Sequence, residues 1–251
     1  MPPSIKDIST HLNTHLDIAN FEDGAINGVQ ITTTAPITSV ATAVTSSLEA
    51  IERAVALKVQ ALIVHHGIFR KGDSYPLTDI KYKKIKLLIE NNIALLCYHL
   101  PLDAHQELGN NWKAARDLGL QDLKPGFMYG SSTIGVIGTM APMPFDAFTK
   151  KVEQYYGNKA NAVSVKKTIS SVGIVSGGAH KSLDDAVKAG VDCFITGTVD
   201  EPVWDTAHEK QISFLSLGHY CTETVGPKAL ADYMQKTMQV SATFIKTENP
   251  F

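Results

Sequence analysis

The chain has 251 residues, 44% of them hydrophobic and 19% charged, with a formal net charge of −2. That balance describes an ordinary globular protein with length enough for one large core or two modest ones, and it gives no bias toward nucleic acid or an anionic membrane surface. No apolar run approaches the roughly 20 residues of a membrane span. The first residues lack a signal-peptide pattern, and the three cysteines have no CxxC spacing, so a cytoplasmic compartment without a disulfide framework is expected.

Taken in order, residues 3–19 predict a helix with Ile5, Ile8, Leu12, Leu16 and Ile18 as its apolar stripe and Ser4 as its cap. An irregular stretch, 21–30, holds Asn27-Gly28-Val29-Gln30; its spacing favours a surface turn over a loop covering a site. Residues 37–44 predict a strand and 46–58 a helix capped by Ser46 or Ser47. The apolar run 61–64 reads as a buried parallel strand ending in His65-His66-Gly67. Neighbouring side chains on a strand point apart, but where a strand stops both rings can reach one crevice. Residues 79–91 predict a basic amphipathic helix whose Lys81, Lys83, Lys84 and Lys86 are most simply a solvated face. A strand over 93–98 leads into His99, and a helix over 110–118 is closed by Gly119.

Lys124 to Gly130 breaks this rhythm and suggests a boundary, with one domain over 1–125 plus 226–251 and a second over 126–225. A strand over 130–140 and a helix over 145–156 follow. Ser176-Gly177-Gly178-Ala179 leaves a strand and opens a helix, a geometry suited to an anion cradle or simply to a turn. The chain closes with a helix over 225–238, opened by Glu223, and a strand over 240–245. A shift of 132 residues aligns Ile37 with Ile169, Ser39 with Ser171, Val40 with Val172, Ala54 with Ala186, Val55 with Val187, Val59 with Val191 and Ile63 with Ile195. In both halves a helix, a strand and then a histidine follow, with an acid four residues on: His99 to Asp103, and His219 to Glu223. The expectation is an internally duplicated α/β fold with mixed sheets, the copies intertwined by the last strand.

His65, His66, Asp103, His219 and Glu223, with His99 and His105 nearby, form an imidazole and carboxylate set at predicted strand ends. Taken singly, each histidine is more simply a capping or hydrogen-bonding group. Together they suit Zn, Fe, Mn, Co or Mg rather than a thiolate-rich structural zinc, and the sequence does not choose among them. Five or six ligands exceed one tetrahedral ion and suit two divalent ions bridged by a carboxylate, a pair that lowers the pKa of bound water. His11, His15, His180 and His208 read as structural, and Cys221 as incidental.

The motifs HHG at His65 to Gly67, HxPLDxH at His99 to His105 and GHxxTE at Gly218 to Glu223 resemble the YbgI-type dinuclear metal-centre family, Nif-three-like proteins often labelled GTP cyclohydrolase I type 2. The similarity extends to Asn27-Gly28-Val29-Gln30, Asn110-Asn111 and the strand before Gly197. It implies a two-domain, three-layer α/β/α fold and a toroidal homohexamer. It also implies ligand roles for His65, His66, Asp103, His219 and Glu223, with His99 as a weaker ligand or a base. The chain departs from the family pattern at Thr198, often acidic, and Ala179, often glycine. The leading expectation is therefore a metal-dependent hydrolase of a small nucleotide-like substrate. The alternatives are a protein that binds metal or a metal cofactor without turnover, and a scaffold or regulatory partner whose metal only stabilises a ring.

Overall fold

Serine side chains start the first two α-helices. Asp7 N–H donates to Ser4 Oγ at 3.2 Å and Ser4 N–H donates to Asp7 Oδ2 at 2.8 Å, a capping box that opens the helix Ile5–His15. Ile8 and Leu12 on that helix are buried. The structure, a computed structural model, describes all 251 residues. The helix stops short of residue 19 because Asp17 takes a left-handed conformation (φ 51°), after which Ile18–Asn20 forms a single 3-10 turn. Ser47 Oγ accepts from Ala50 N–H at 3.1 Å and so caps Leu48–Ala56. No helix is long and apolar enough to cross a membrane.

The fold is mixed α/β, in two compact units. One comprises residues 1–102 and 226–248, the other residues 103–225 and 249–251. The sheet of the first unit has five strands in the order Gly28–Ile31, Ala94–Cys97, Ala61–His66, Ser39–Thr45, Ser241–Phe244. Only Gly28–Ile31 is antiparallel to its neighbour. The sheet of the second unit has six strands in the order Gln121–Tyr129, Ser132–Pro144, Thr168–Ile174, Cys193–Thr196, Ser213–Ser216, Asn161–Val163. Thr168–Ile174, Cys193–Thr196 and Ser213–Ser216 run parallel; the remaining pairings are antiparallel. The parallel strands bury both faces, so Leu62, Val64, Leu95 and Cys97 fill the first core and Phe194, Ile195, Phe214 and Leu215 the second.

Both sheets contain the same four-strand core, an antiparallel edge followed by three parallel strands. The seven aligned identities fall within that core or beside it, and the hydrogen bonds repeat with them. Gln60 Oε1 accepts from Thr38 N–H at 3.0 Å and Ser39 N–H at 2.9 Å, and Asp192 Oδ2 accepts from Ser170 N–H at 2.9 Å and Ser171 N–H at 3.0 Å. Val59 N–H donates to Ala54 O at 3.4 Å, as Val191 N–H does to Ala186 O. The repeat is thus one of backbone geometry as well as of sequence.

Two strands escape a local reading. Gly28–Ile31 lies at the end of the stretch that reads as a turn, and only its pairing with Ala94–Cys97 makes it a strand. Gln121–Tyr129 takes in all of the stretch Lys124 to Gly130 except its last residue, although Pro125 suggests a break there. It is a sheet edge, where a missing N–H removes no ladder bond on the open side.

Candidate metal centre

The strand Ala61–His66 carries His65 and His66 to its end, and the turn after Ala94–Cys97 brings His99 alongside. The His65 and His66 rings are 4.6 Å apart between centroids, His65 and His99 4.9 Å, and His66 and His99 5.5 Å. One ring nitrogen from each lies within 4.8 Å of the others. His65 is buried, and its Nδ1–H donates to Tyr98 O at 3.1 Å, which leaves the lone pair of the neutral ring on Nε2. Thr45 Oγ1 sits 3.3 Å from His66 Nδ1.

His99 is held most firmly. Its Nδ1 is 2.8 Å from Asp23 Oδ1, and its backbone N–H donates to Asn27 Oδ1 at 2.8 Å. Asp23 also accepts from Ala25 N–H, Asn27 Nδ2 and Leu100 N–H, at 2.9, 3.0 and 3.0 Å. Burial alone would raise the Asp23 carboxyl, but the hydrogen bond and charge of His99 and the donors from Ala25 and Asn27 outweigh it, so the group stays ionised well below the usual carboxylate range. Gln30 Oε1 accepts from Ile68 N–H at 2.8 Å and Phe69 N–H at 3.1 Å, clamping the chain as it leaves His65-His66-Gly67. Residues 21–30 therefore frame the histidines, against the expectation of a surface turn. Asp23, the acid that orients His99, has no signal in local sequence because its partner lies 76 residues away. Burial pushes the Cys97 thiol up to about 12, and its Sγ–H donates to His65 O at 3.2 Å.

The second unit gathers carboxylates. Glu223 follows a short helix, His219–Thr222, and precedes Val225–Thr237, so it caps the first rather than opening the second. Its Oε1 lies 3.1 Å from His219 Nε2, and only 4% of its side chain is exposed, a burial that an ionised carboxylate tolerates beside cationic or donor groups. Asp103 Oδ1 accepts from Asn110 Nδ2 at 2.8 Å and from Ser176 Oγ at 2.9 Å. Asn111 Oδ1 accepts from Ser176 N–H at 2.6 Å, so Asn110 and Asn111 jointly fix the Asp103 wall.

Next to Ser176, Gly177 has φ +68°, and a Cβ there would overlap Glu223 Oε1. The 176–179 turn uses its N–H groups internally: Gly177 donates to Thr222 Oγ1 at 3.0 Å and Ala179 to Thr196 Oγ1 at 3.2 Å. It is a close-packed support for Glu223, not an anion cradle. His105 Nδ1 accepts from Leu108 N–H at 3.1 Å, a local cap.

The imidazoles of the first unit, with Nδ1 held at His65 and His99, and separately the buried Glu223 beside His219 in the second, are each a donor chemistry that fits divalent metal ions, and a Cβ at Gly177 would take the space of the Glu223 oxygen. The fold and these groups define a duplicated α/β protein with histidine and glutamate residues that could hold metal. The chain belongs to the DUF34/NIF3 (NGG1p interacting factor 3) family, whose model matches residues 3–250. The GTP cyclohydrolase 1 type 2 homolog of Chlamydia pneumoniae is 47% identical over 99% of this chain and 100% of its own length. The protein of the same name from Escherichia coli K12 is 34% identical over 95% of this chain and 96% of its own. Among solved structures, protein ybgI, of unknown function, is similar with a TM-score of 0.93 at 32% identity, covering 99% of this chain and 100% of its own. A protein from Thermus thermophilus gives a TM-score of 0.91 at 28% identity, over 99% of this chain and 100% of its own.

Proposed function

We propose that this chain is a dinuclear metal protein and a hydrolase of a small nucleotide-like substrate, with His65, His66, Asp103, His219 and Glu223 as ligands of two divalent ions and Glu223 as the bridging carboxylate. The observation that carries this reading is the histidine cluster, where Tyr98 O and Asp23 hold the Nδ1 of His65 and of His99. Three imidazoles so close, two of them held by Nδ1, are well suited to offer Nε2 lone pairs. Glu223, one methylene longer than Asp103, would be the carboxylate to contact both ions, and Asp103 would hold one.

The bound ions would supply Lewis-acid activation of water and of the bond under attack. The chain's own contribution is orientation and proton handling. Asp23 keeps the proton on His99 Nδ1, so His99 Nε2 is the atom placed to accept a proton from an attacking water and to return it to a leaving nitrogen. Ser176 and Asn110 hold Asp103 by its Oδ1. The relatives' name, GTP cyclohydrolase 1 type 2 homolog, suggests a purine nucleotide whose ring C–N bond is opened by water. We further propose a cytoplasmic homohexamer. Metal analysis of protein purified without added metal, followed by a nucleotide-hydrolysis panel, tests the reading. Two ions with hydrolysis are expected; two ions without any turnover would leave a metal-binding protein and refute the enzyme.

A further inference from the structure

The second unit contains a cavity of about 370 Å³ with His219 in its wall. Small-molecule sites begin at roughly 300 Å³, so this one admits a nucleoside but little more. Its floor is backbone at Gly197 and Gly218, and its sides include Asn158, Asn161, Thr198 and Phe251. No acidic side chain lines it; Lys159 does, with its ammonium 3.0 Å from Glu153 Oε2.

The Phe251 wall is pinned to the turn that carries His219. Tyr220 N–H donates to Phe251 O at 2.6 Å, and Asn158 Nδ2 donates to Leu217 O at 2.8 Å and to Pro250 O at 3.2 Å. Gly218 permits the approach: its φ is +94°, and a Cβ there would lie 2.9 Å from the Phe251 carbonyl carbon. The backbone of residue 251 is therefore fixed while its residue surface stays 78% exposed, an aromatic face presented at the edge of a cavity instead of packed into a core. Also in the lining, Asn161 brings a side-chain amide from the edge strand paired with Ser213–Ser216, and Thr198 a hydroxyl 2.9 Å from His180 Nδ1.

We propose that this cavity receives the planar heteroaromatic ring of the substrate, with Phe251 stacking on the ring face and Asn161 and Thr198 hydrogen-bonding its edge. An aromatic face beside an amide and a hydroxyl selects for a flat ring with donors and acceptors on its rim. The inference rests on the nucleotide-like substrate proposed above and specifies where its base sits. It does not depend on turnover.

Equilibrium binding to the full-length, metal-loaded protein provides the test, with guanosine monophosphate, guanosine and ribose 5-phosphate as probes. Guanosine monophosphate and guanosine should bind, and ribose 5-phosphate should bind at least about tenfold more weakly than guanosine monophosphate. Phe251→Ala should weaken both guanosine probes by about 10-fold or more, the scale of lost base–aromatic stacking, while Phe251→Trp retains binding. Asn161→Ala should weaken guanosine and leave ribose 5-phosphate unchanged. Metal content and melting temperature should match wild type in all three variants. Failure of wild type to bind guanosine at millimolar concentration, or wild-type affinity in Phe251→Ala, would overturn the proposal. Hydrolysis separates the two readings. Turnover that ignores Phe251 removes the cavity and keeps the enzyme; Phe251-dependent binding without turnover removes the enzyme and keeps the cavity.

Discussion

Asp23 sets the chemistry of His99 from a loop that touches it only in three dimensions. With its carboxylate on Nδ1, the imidazole has one tautomer, and Nε2 is the basic nitrogen. Replacing Asp23→Asn keeps the size and removes the charge. We expect a loss of about 10- to 100-fold in hydrolysis or metal affinity, the usual cost of losing an orienting carboxylate, with a change in the His99 ring nitrogen shifts by NMR. Unchanged shifts together with wild-type activity would show that Asp23 only packs. The contrast with the histidines explains what a sequence discloses at this scale. His65, His66, His99 and His219 stand at the ends of apolar runs, so each is flagged by its own neighbours. Asp23, Asn27 and Gln30 act across the fold on His99 and on residues 68 and 69, and nothing next to them in the chain says so.

At the scale of elements, the duplication is legible because parallel strands buried on both faces leave continuous apolar runs, which a fixed shift then aligns. What is not legible is pairing at the edges. Gly28–Ile31 and Gln121–Tyr129 are strands by virtue of a neighbour, and Pro125 and the glycines mislead a local reading. The duplication also contains an experiment. Gln60 and Asp192 perform the same clamp on a neighbouring strand, one neutral and one acidic. Burial alone would raise the Asp192 carboxyl, but the hydrogen bonds from Ser170 and Ser171 more than offset it, and the group lies below its ordinary value. A depressed folded pKa stabilises the fold fully above the unfolded value, about 3.9, and the contribution is lost as pH falls through the folded pKa. Asp192→Asn removes the titration. Wild type should therefore be the more stable at pH 7, and the gap in melting temperature should shrink as pH falls below about 4. A gap that stays constant from pH 7 to pH 3 would contradict the assignment.

For the whole molecule, the family and fold are established and the assembly is proposed. A homohexamer has a mass in solution six times the 27.2 kDa of the chain, and light scattering across the micromolar range should show it. A monomer at all those concentrations would end that proposal. The proposed dinuclear centre is tested with crystals of metal-loaded protein, by anomalous scattering at the metal edges combined with elemental analysis of the same sample. The expected result is two anomalous peaks per chain, about 3.5–4 Å apart as in two-metal hydrolytic sites, with Glu223 between them and His65, His66, Asp103 and His219 as ligands. In Glu223→Gln at least one peak should vanish while the fold persists. A single peak or none in wild type, or two undiminished peaks in Glu223→Gln, would contradict the account.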